Sequence, residues 1–274
     1  MNKLKFFFGK NTDQEYKKIS KLLTKVFKKQ FDLNYLRWLY SENPHGKAVT
    51  FNISKNEKII GHYSVIPSEI LINKKIYKAA LSLNTAVDDN YRGRGFFNIM
   101  AKKTFEKCLK KKIRFIFGVS NSQSTKLFVK NFNFCNFGGL NVMVGLGKID
   151  HNLIRKKFKV NWDIKSLNWR LQNPNTKYNI NYFEKNKINI SKKLYKIFNL
   201  NMGEFYNNYK FNVAKDNNFN LLNLYVVLGK DNSKNLFFFN LPKFLKPSPL
   251  NLILKDLLIK NNNFNLKREN IFFQ

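Results

Sequence analysis

The chain has 274 residues, 43% of them hydrophobic and 16% aromatic, a composition that excludes a disordered chain and allows one large or two modest domains with ample core. Lys and Arg number 50 against 17 Asp and Glu, a formal net charge of +33, which favours an anionic partner. The cations are spread along the whole chain beside abundant Asn, Ile and Phe, the residues of AT-rich codons, so base composition accounts for the charge and nucleic acid is not the expected partner.

Two cysteines, Cys108 and Cys135, make neither a disulfide framework nor a zinc site, and His45, His62 and His151 lack paired spacing, so no metal is expected. No apolar stretch nears the roughly twenty residues of a membrane span. Met1–Lys10 holds only the short apolar run Phe6–Phe8, unlike a signal peptide. A cytoplasmic protein is expected.

In chain order, Leu4–Phe8 reads as a strand and Thr12–Lys29 as an amphipathic helix with Ile19, Leu22, Leu23 and Phe27 on one face. Leu33–Tyr40 is a second short helix, stopped by Asn43-Pro44-His45-Gly46. Val49–Ser54 and Lys58–Pro67 form a hairpin around Lys55-Asn56-Glu57, and Ile70–Ile72 with Lys75–Tyr77 a smaller one. The apolar strand Ala80–Val87 then runs through Asp88-Asp89-Asn90-Tyr91 into Arg92-Gly93-Arg94-Gly95 and the helix-patterned Phe96–Leu109, where Phe97, Met100, Ala101, Phe105 and Cys108 recur at core spacing. A strand-like run, Arg114–Ser120, leads into Asn121–Phe134.

The second half carries a repeat. Phe31-Asp32-Leu33-Asn34-Tyr35-Leu36-Arg37-Trp38, followed by Asn43-Pro44, recurs as Trp162-Asp163-Ile164-Lys165-Ser166-Leu167-Asn168-Trp169, followed by Asn173-Pro174. Two short helices with similar caps would give the same match; a tandem duplication is the stronger expectation. The second copy has no arginine–glycine loop: Gly229–Lys234, between Phe219–Leu228 and Asn235–Leu241, reads as a hairpin turn.

The arginine–glycine run is the chemistry-bearing segment. A glycine loop opening a helix leaves backbone N–H groups unpaired at the positive end of the helix dipole, where phosphate binds, and arginine adds charge-assisted contacts. It is not a Walker loop, which needs four residues between its glycines and a Gly-Lys-Ser/Thr end. Nor is it a dinucleotide fingerprint, since Asn98 stands where the third glycine belongs.

Val87-x-x-x-Tyr91-Arg92-x-x-Gly95 resembles the acetyl-CoA loop of the GNAT acetyltransferase superfamily, with Phe97 replacing the last small residue. Asn121, Ser124, Leu127 and Phe128 keep the spacing of that family's Asn-x-x-Ala-x-x-Leu-Tyr motif, and Lys58–Pro67 resembles its third strand. The resemblance implies an α/β (α+β) GNAT fold, a mixed central sheet flanked by helices, at 1–148, with a smaller degenerate GNAT-like lobe at 149–274. It further implies acetyl-CoA as acyl donor, its pyrophosphate on Arg92, Gly93, Arg94, Gly95, Phe96 and Phe97, its thioester nearest Thr85, Ala86 and Val87, and its pantetheine near Asn121 and Phe128. Asn121 also suits a helix cap. Phe128 stands where the family often carries a tyrosine acid and cannot donate a proton. His62 and Glu69 are the candidate bases, with Ser120 as a relay; an outward strand histidine and a surface carboxylate are the plainer readings.

The expected activity is acyl-CoA-dependent N-acyl transfer, most simply acetyl transfer to the primary amine of a small molecule such as an amino sugar. A Fem-type transferase fed by aminoacyl-tRNA and a non-catalytic CoA-binding module are the alternatives.

Overall fold

The computed structural model describes residues 3–146, 158–184, 187–194, 198–206, 222–228, 238–242 and 250–259. The first half runs β1 (Lys5–Phe8), α1 (Asp13–Phe27), α2 (Leu33–Ser41), β2 (Val49–Lys55), β3 (Lys58–Ile72), β4 (Lys75–Val87), α3 (Phe96–Lys110), β5 (Phe115–Asn121), α4 (Ser122–Phe132) and β6 (Cys135–Leu146). The second runs β7 (Phe158–Val160), α5 (Ile164–Leu171), β8 (Asn179–Glu184), β9 (Lys187–Leu194), β10 (Phe198–Tyr206), β11 (Leu222–Leu228), β12 (Phe238–Asn240) and β13 (Leu250–Asp256).

Helix starts follow local chemistry. Thr12, Asp32, Asn121 and Asp163 each accept a hydrogen bond from the backbone N–H three residues on, satisfying a donor that the first turn leaves unpaired. Helices α3 and α4 cover one face of the sheet, burying Met100, Ala101, Phe105, Cys108 and Phe128 against Phe51, Ile53, Tyr63 and Val65. Helices α1 and α2 cover the other, with Tyr16, Ile19, Leu23, Leu36 and Tyr40 on Ile59, Ile66 and Ala86. Phe27, expected on the buried face, is half-exposed at the end of α1 and packs on Phe31. The first expected hairpin is the β2–β3 pair, whereas the smaller one is only the tip of a long β3–β4 pair that runs to the turn at Asn73-Lys74.

Strand order is β1-β2-β3-β4-β5-β13-β6-β11-β10-β9-β8, with β12 on β6 and β7 on β3. The two halves repeat one pattern. In the first, β2, β3 and β4 are antiparallel, β4 and β5 are parallel, and β13 then β6 follow antiparallel. In the second, β8, β9 and β10 are antiparallel, β10 and β11 are parallel, and β6 then β12 follow antiparallel. Strand β6 therefore fills in the second half the place that β13 fills in the first, and each half lends the other a strand. Strand β6 spans both, pairing Cys135–Gly139 with β13 and Leu140–Leu146 with β11, the change of partner following Gly138, which takes φ +102°. The expected boundary between 148 and 149 lies outside the described residues, and strand pairing joins the two sides of it through β13, β6 and β7.

Two expectations change with this topology. Strands β11 and β12 do not form a hairpin with each other, since both pair with β6 from opposite sides; Gly229–Lys234 lies outside the described residues. The counterpart of the arginine–glycine loop is therefore 207–221, between β10 and β11, a stretch without glycine or arginine.

The sequence repeat meets itself. Trp38 and Trp169 stack with ring centroids 4.6 Å apart and planes 14° from parallel. Trp38 Nε1 donates to the Trp169 carbonyl at 2.8 Å and Trp169 Nε1 to the Trp38 carbonyl at 3.1 Å. The two copies thus join reciprocally, as a local two-fold axis requires.

The exchanged β13 ends on Asp256, whose buried carboxylate accepts from Arg114 Nε and Nη2 at 2.9 and 2.6 Å and from the Leu258 N–H at 3.0 Å. Arg114 is partly exposed, so solvent recovers part of what it loses when unpaired. Asp256→Ala is expected to cost about 1–3 kcal/mol, about 2–4 °C per kcal/mol for a chain of this size. Calorimetry reads this directly, and an unchanged melting temperature would show that the pair does not hold β13.

Candidate functional site

Strands β4 and β5 pair only at Ala79–Leu81 with Phe115–Phe117. Beyond that they part: β4 stays hydrogen-bonded to β3 as far as Val87, and β5 to β13 as far as Asn121. The facing edges therefore open as a wedge of unpaired backbone groups, which need partners if buried. At its apex a Cβ on Gly118 would lie 3.1 Å from the Ser82 carbonyl, so glycine allows the close approach. Along the wedge β4 bulges, with Asn84 and Thr85 opposite Tyr63, and Asn84 takes φ +52°.

The chain leaves β4 through a single 3-10 turn, Asp89–Tyr91, and enters α3 across Arg92–Gly95. Gly93 and Gly95 hold φ of +77° and +74°, and a Cβ on either would meet nothing within 4 Å. Glycine is needed there for conformation, and it leaves the space above the loop open. The Arg92 N–H bonds to Asp89 and the Ile99 N–H to Gly95. Between them, the N–H groups of residues 93–98 have no partner among the described residues. Gly95 caps α3 with no side-chain acceptor, so these donors converge with the positive helix end and with the exposed Arg92 and Arg94. Arg92 is steadied by Asp89 at 2.6 Å, and the Arg94 guanidinium lies over the Tyr91 ring. Unpaired backbone donors at a helix N-terminus suit an anion.

The other candidate residues divide. Thr85 and Val87 are half-buried along the wedge, while Ala86 is buried against α1 and α2. Phe96 is buried under α3 and Phe97 half-buried. Asn121 lies at the end of β5 and caps α4, accepting from the Ser124 N–H at 2.8 Å. Phe128 is 4% exposed, its ring enclosed by Phe97, Tyr63 and Phe134, which leaves little of it for a ligand. Ser120 is buried, its hydroxyl 2.7 Å from that of Thr125. Glu69 accepts from Asn161 Nδ2 at 2.9 Å and ties β3 to the segment after β7.

His62 is fully buried, not on an outer face. The Asn52 amide nitrogen donates to Glu15, so its oxygen accepts from His62 Nδ1 at 2.7 Å. His62 Nε2 then accepts from the Tyr40 hydroxyl at 3.0 Å, and that hydroxyl accepts from Asn84 Nδ2 at 2.8 Å. Both ring nitrogens are engaged, and burial pushes the imidazole pKa down to about 3. His62 thus offers no basic nitrogen to a substrate; through Tyr40 it holds Asn84 at the bulge.

Residues 9–131 match the acetyltransferase (GNAT) domain family. That segment is a domain of the GNAT superfamily. The same fold recurs in a conserved protein of Enterococcus faecalis V583 described as a probable N-acyltransferase, with a TM-score of 0.62 and 12% identity over 93% of this chain and 73% of that one. It recurs in a GCN5-related N-acetyltransferase of Kribbella flavida (TM-score 0.62, 7% identity, 92% of this chain and 71% of that one). A third instance is a GCN5-related N-acetyltransferase of Anabaena variabilis ATCC 29413 (TM-score 0.59, 11% identity, 92% and 73%). The fold likeness thus runs through both halves. No curated protein matches the chain.

The GNAT sheet separates two spaces. Ala80 and Ile116 face α3. Leu81 and Phe117, one residue on and so on the other face, line a cavity of about 340 Å³ shared with α2, α5 and β10. Sequence reading missed this cavity, together with Asn84, Tyr40 and Gly118. Arg170, the one Lys or Arg in its lining among the described residues, follows the second repeat tryptophan and was legible only as a neighbour of the motif.

Buried neutral His62 makes this GNAT fold acid-sensitive. Below about pH 6.5 the unfolded chain binds a proton that the native state refuses until about pH 3. Stability is therefore full above 6.5 and falls as pH drops towards 3, by up to about 1.4 kcal/mol per pH unit. Urea titrations between pH 7.5 and 4.5 should show a shallower fall for His62→Gln than for the wild type, and parallel curves would refute the assignment.

Proposed function

We propose that this chain is an acyl-CoA-dependent N-acyltransferase that moves an acetyl group from acetyl-CoA to the primary amine of a small molecule. The observation that carries the reading is the run of unpartnered N–H groups at residues 93–98, set where the β4–β5 wedge opens. In this reading those groups and the two arginines take the pyrophosphate. The open edge of β4 at Thr85–Val87 pairs with the pantetheine amides, and Asn121 closes the far side.

Bound there, the thioester supplies an electrophilic carbonyl carbon and a thiolate leaving group. The acceptor nitrogen forms the new C–N bond, the C–S bond breaks with its electron pair on sulfur, and the proton shed by nitrogen reaches the thiolate through solvent. The bulge at Asn84-Thr85, held by Tyr40 and His62, positions the strand at the transfer point. Phe128 supplies no acid, and for that reason a binding-only module is the second reading. Transfer from aminoacyl-tRNA is less well supported, because the cradle fits the pyrophosphate of a CoA donor.

Isothermal titration with acetyl-CoA tests the proposal. The wild type should bind, and Gly95→Glu, which adds a carboxylate and strains φ +74°, should bind at least about tenfold more weakly. No binding by the wild type, or equal binding by the two, overturns it. Binding without thiol release across a broad amine panel leaves the binding-only module.

A further inference from the structure

The cavity beneath the wedge has a chemistry of its own. Leu81, Leu83, Phe117, Leu167, Met202 and Phe205 set an apolar lining, and about 340 Å³ is room for a small molecule with an aromatic-sized body. The cavity lies where the two repeat copies meet: Tyr35 and Leu39 line it from α2, and Ser166 and Arg170 from the matching positions of α5. One charge breaks the symmetry, for the second copy has Arg170 where the first has Leu39. The Arg170 guanidinium lies 5.9 Å from the centre of the Trp38 ring and has no acidic partner among the described residues. Also in the lining, the indole N–H of Trp162 and Nε2 of His45 are buried without a hydrogen-bond partner among the described residues.

Guanidinium and indole only donate hydrogen bonds, so the ligand's complement is an acceptor, and an anionic one is best matched to Arg170. We infer that the acceptor substrate is an amine with an apolar body and a carboxylate, an apolar α-amino acid in the simplest case, with its carboxylate on Arg170 and its side chain in the cavity. An amino sugar fits poorly, because most of its hydroxyls would face apolar side chains without partners. The inference rests on the donor site proposed above: Leu81, Leu83 and Phe117 of the two parting strands line the cavity, on the sheet face away from α3.

The test titrates wild type and Arg170→Leu, which restores the residue of the first copy, with phenylalanine, phenethylamine and glucosamine in the presence of CoA. Thiol release from acetyl-CoA is measured on the same panel. Wild type should bind phenylalanine at least about tenfold more tightly than phenethylamine or glucosamine and should turn it over fastest. Arg170→Leu should lose at least about tenfold in phenylalanine affinity, bring phenylalanine level with phenethylamine, and keep its acetyl-CoA affinity within about twofold. Preference for glucosamine, or a carboxylate preference unchanged in Arg170→Leu, overturns the inference. The two proposals fail separately. Phenylalanine binding without acetyl-CoA binding removes the donor site and leaves the cavity assignment; acetyl-CoA binding with no carboxylate preference does the reverse.

Discussion

The parting of β4 and β5 is the constraint on which the rest of the molecule hangs. Two parallel strands that stop pairing after Leu81 and Phe117 leave backbone donors and acceptors facing an open gap, a costly arrangement unless each strand is held from its other side. Strand β3 holds β4 along its whole length, and β13 holds β5 from Asn121 to Phe115. Strand β13 comes from the far end of the described chain and is fastened by Asp256 to Arg114. A local opening in the sheet thus depends on a long-range exchange, and residues 250–256 are part of the site's scaffold, pairing directly with Ser120 and Asn121.

The exchange also explains why the two halves look alike. Both carry the order antiparallel, antiparallel, parallel, and both bulge in the strand before the parallel step, at Asn84-Thr85 and between Asn201 and Gly203. What differs is the connection after that strand. Residues 88–114 hold the glycine loop and α3, whereas 207–221 contain neither glycine nor arginine. The glycine–arginine sequence thus stands in the first of the two connections, and the tryptophan joint between α2 and α5 packs the two halves together.

What was legible in the sequence was local. The caps Asp32 and Asp163, the first hairpin, the glycine loop and the repeat each lie within a short window whose chemistry is self-contained. The long-range features carried no such mark. Leu250–Asp256 reads as a generic apolar strand, and nothing in its composition says that it inserts beside β5. Strand alternation put His62 on a face but could not say that Asn52, Tyr40 and Asn84 would close around it. The repeat was visible, yet a repeated motif does not say whether its copies lie apart or stack on one another, and only the latter makes the cavity.

The placement of donor cradle and cavity on opposite faces bears on the order of events in the proposed reaction. Transfer through a covalent enzyme intermediate needs a nucleophile exposed at the wedge. Cys108 lies under α3 with burial pushing its thiol up to about 12, and Cys135 is half-buried at the start of β6, its thiol also raised by burial. The Ser120 hydroxyl is engaged by Thr125, and His62 is closed on both nitrogens. With each of these groups occupied or neutralised by the core, the geometry suits direct transfer within a ternary complex. The proposed acyl donor reaches the wedge from the α3 side, the acceptor from the cavity side, and neither has to leave for the other to enter.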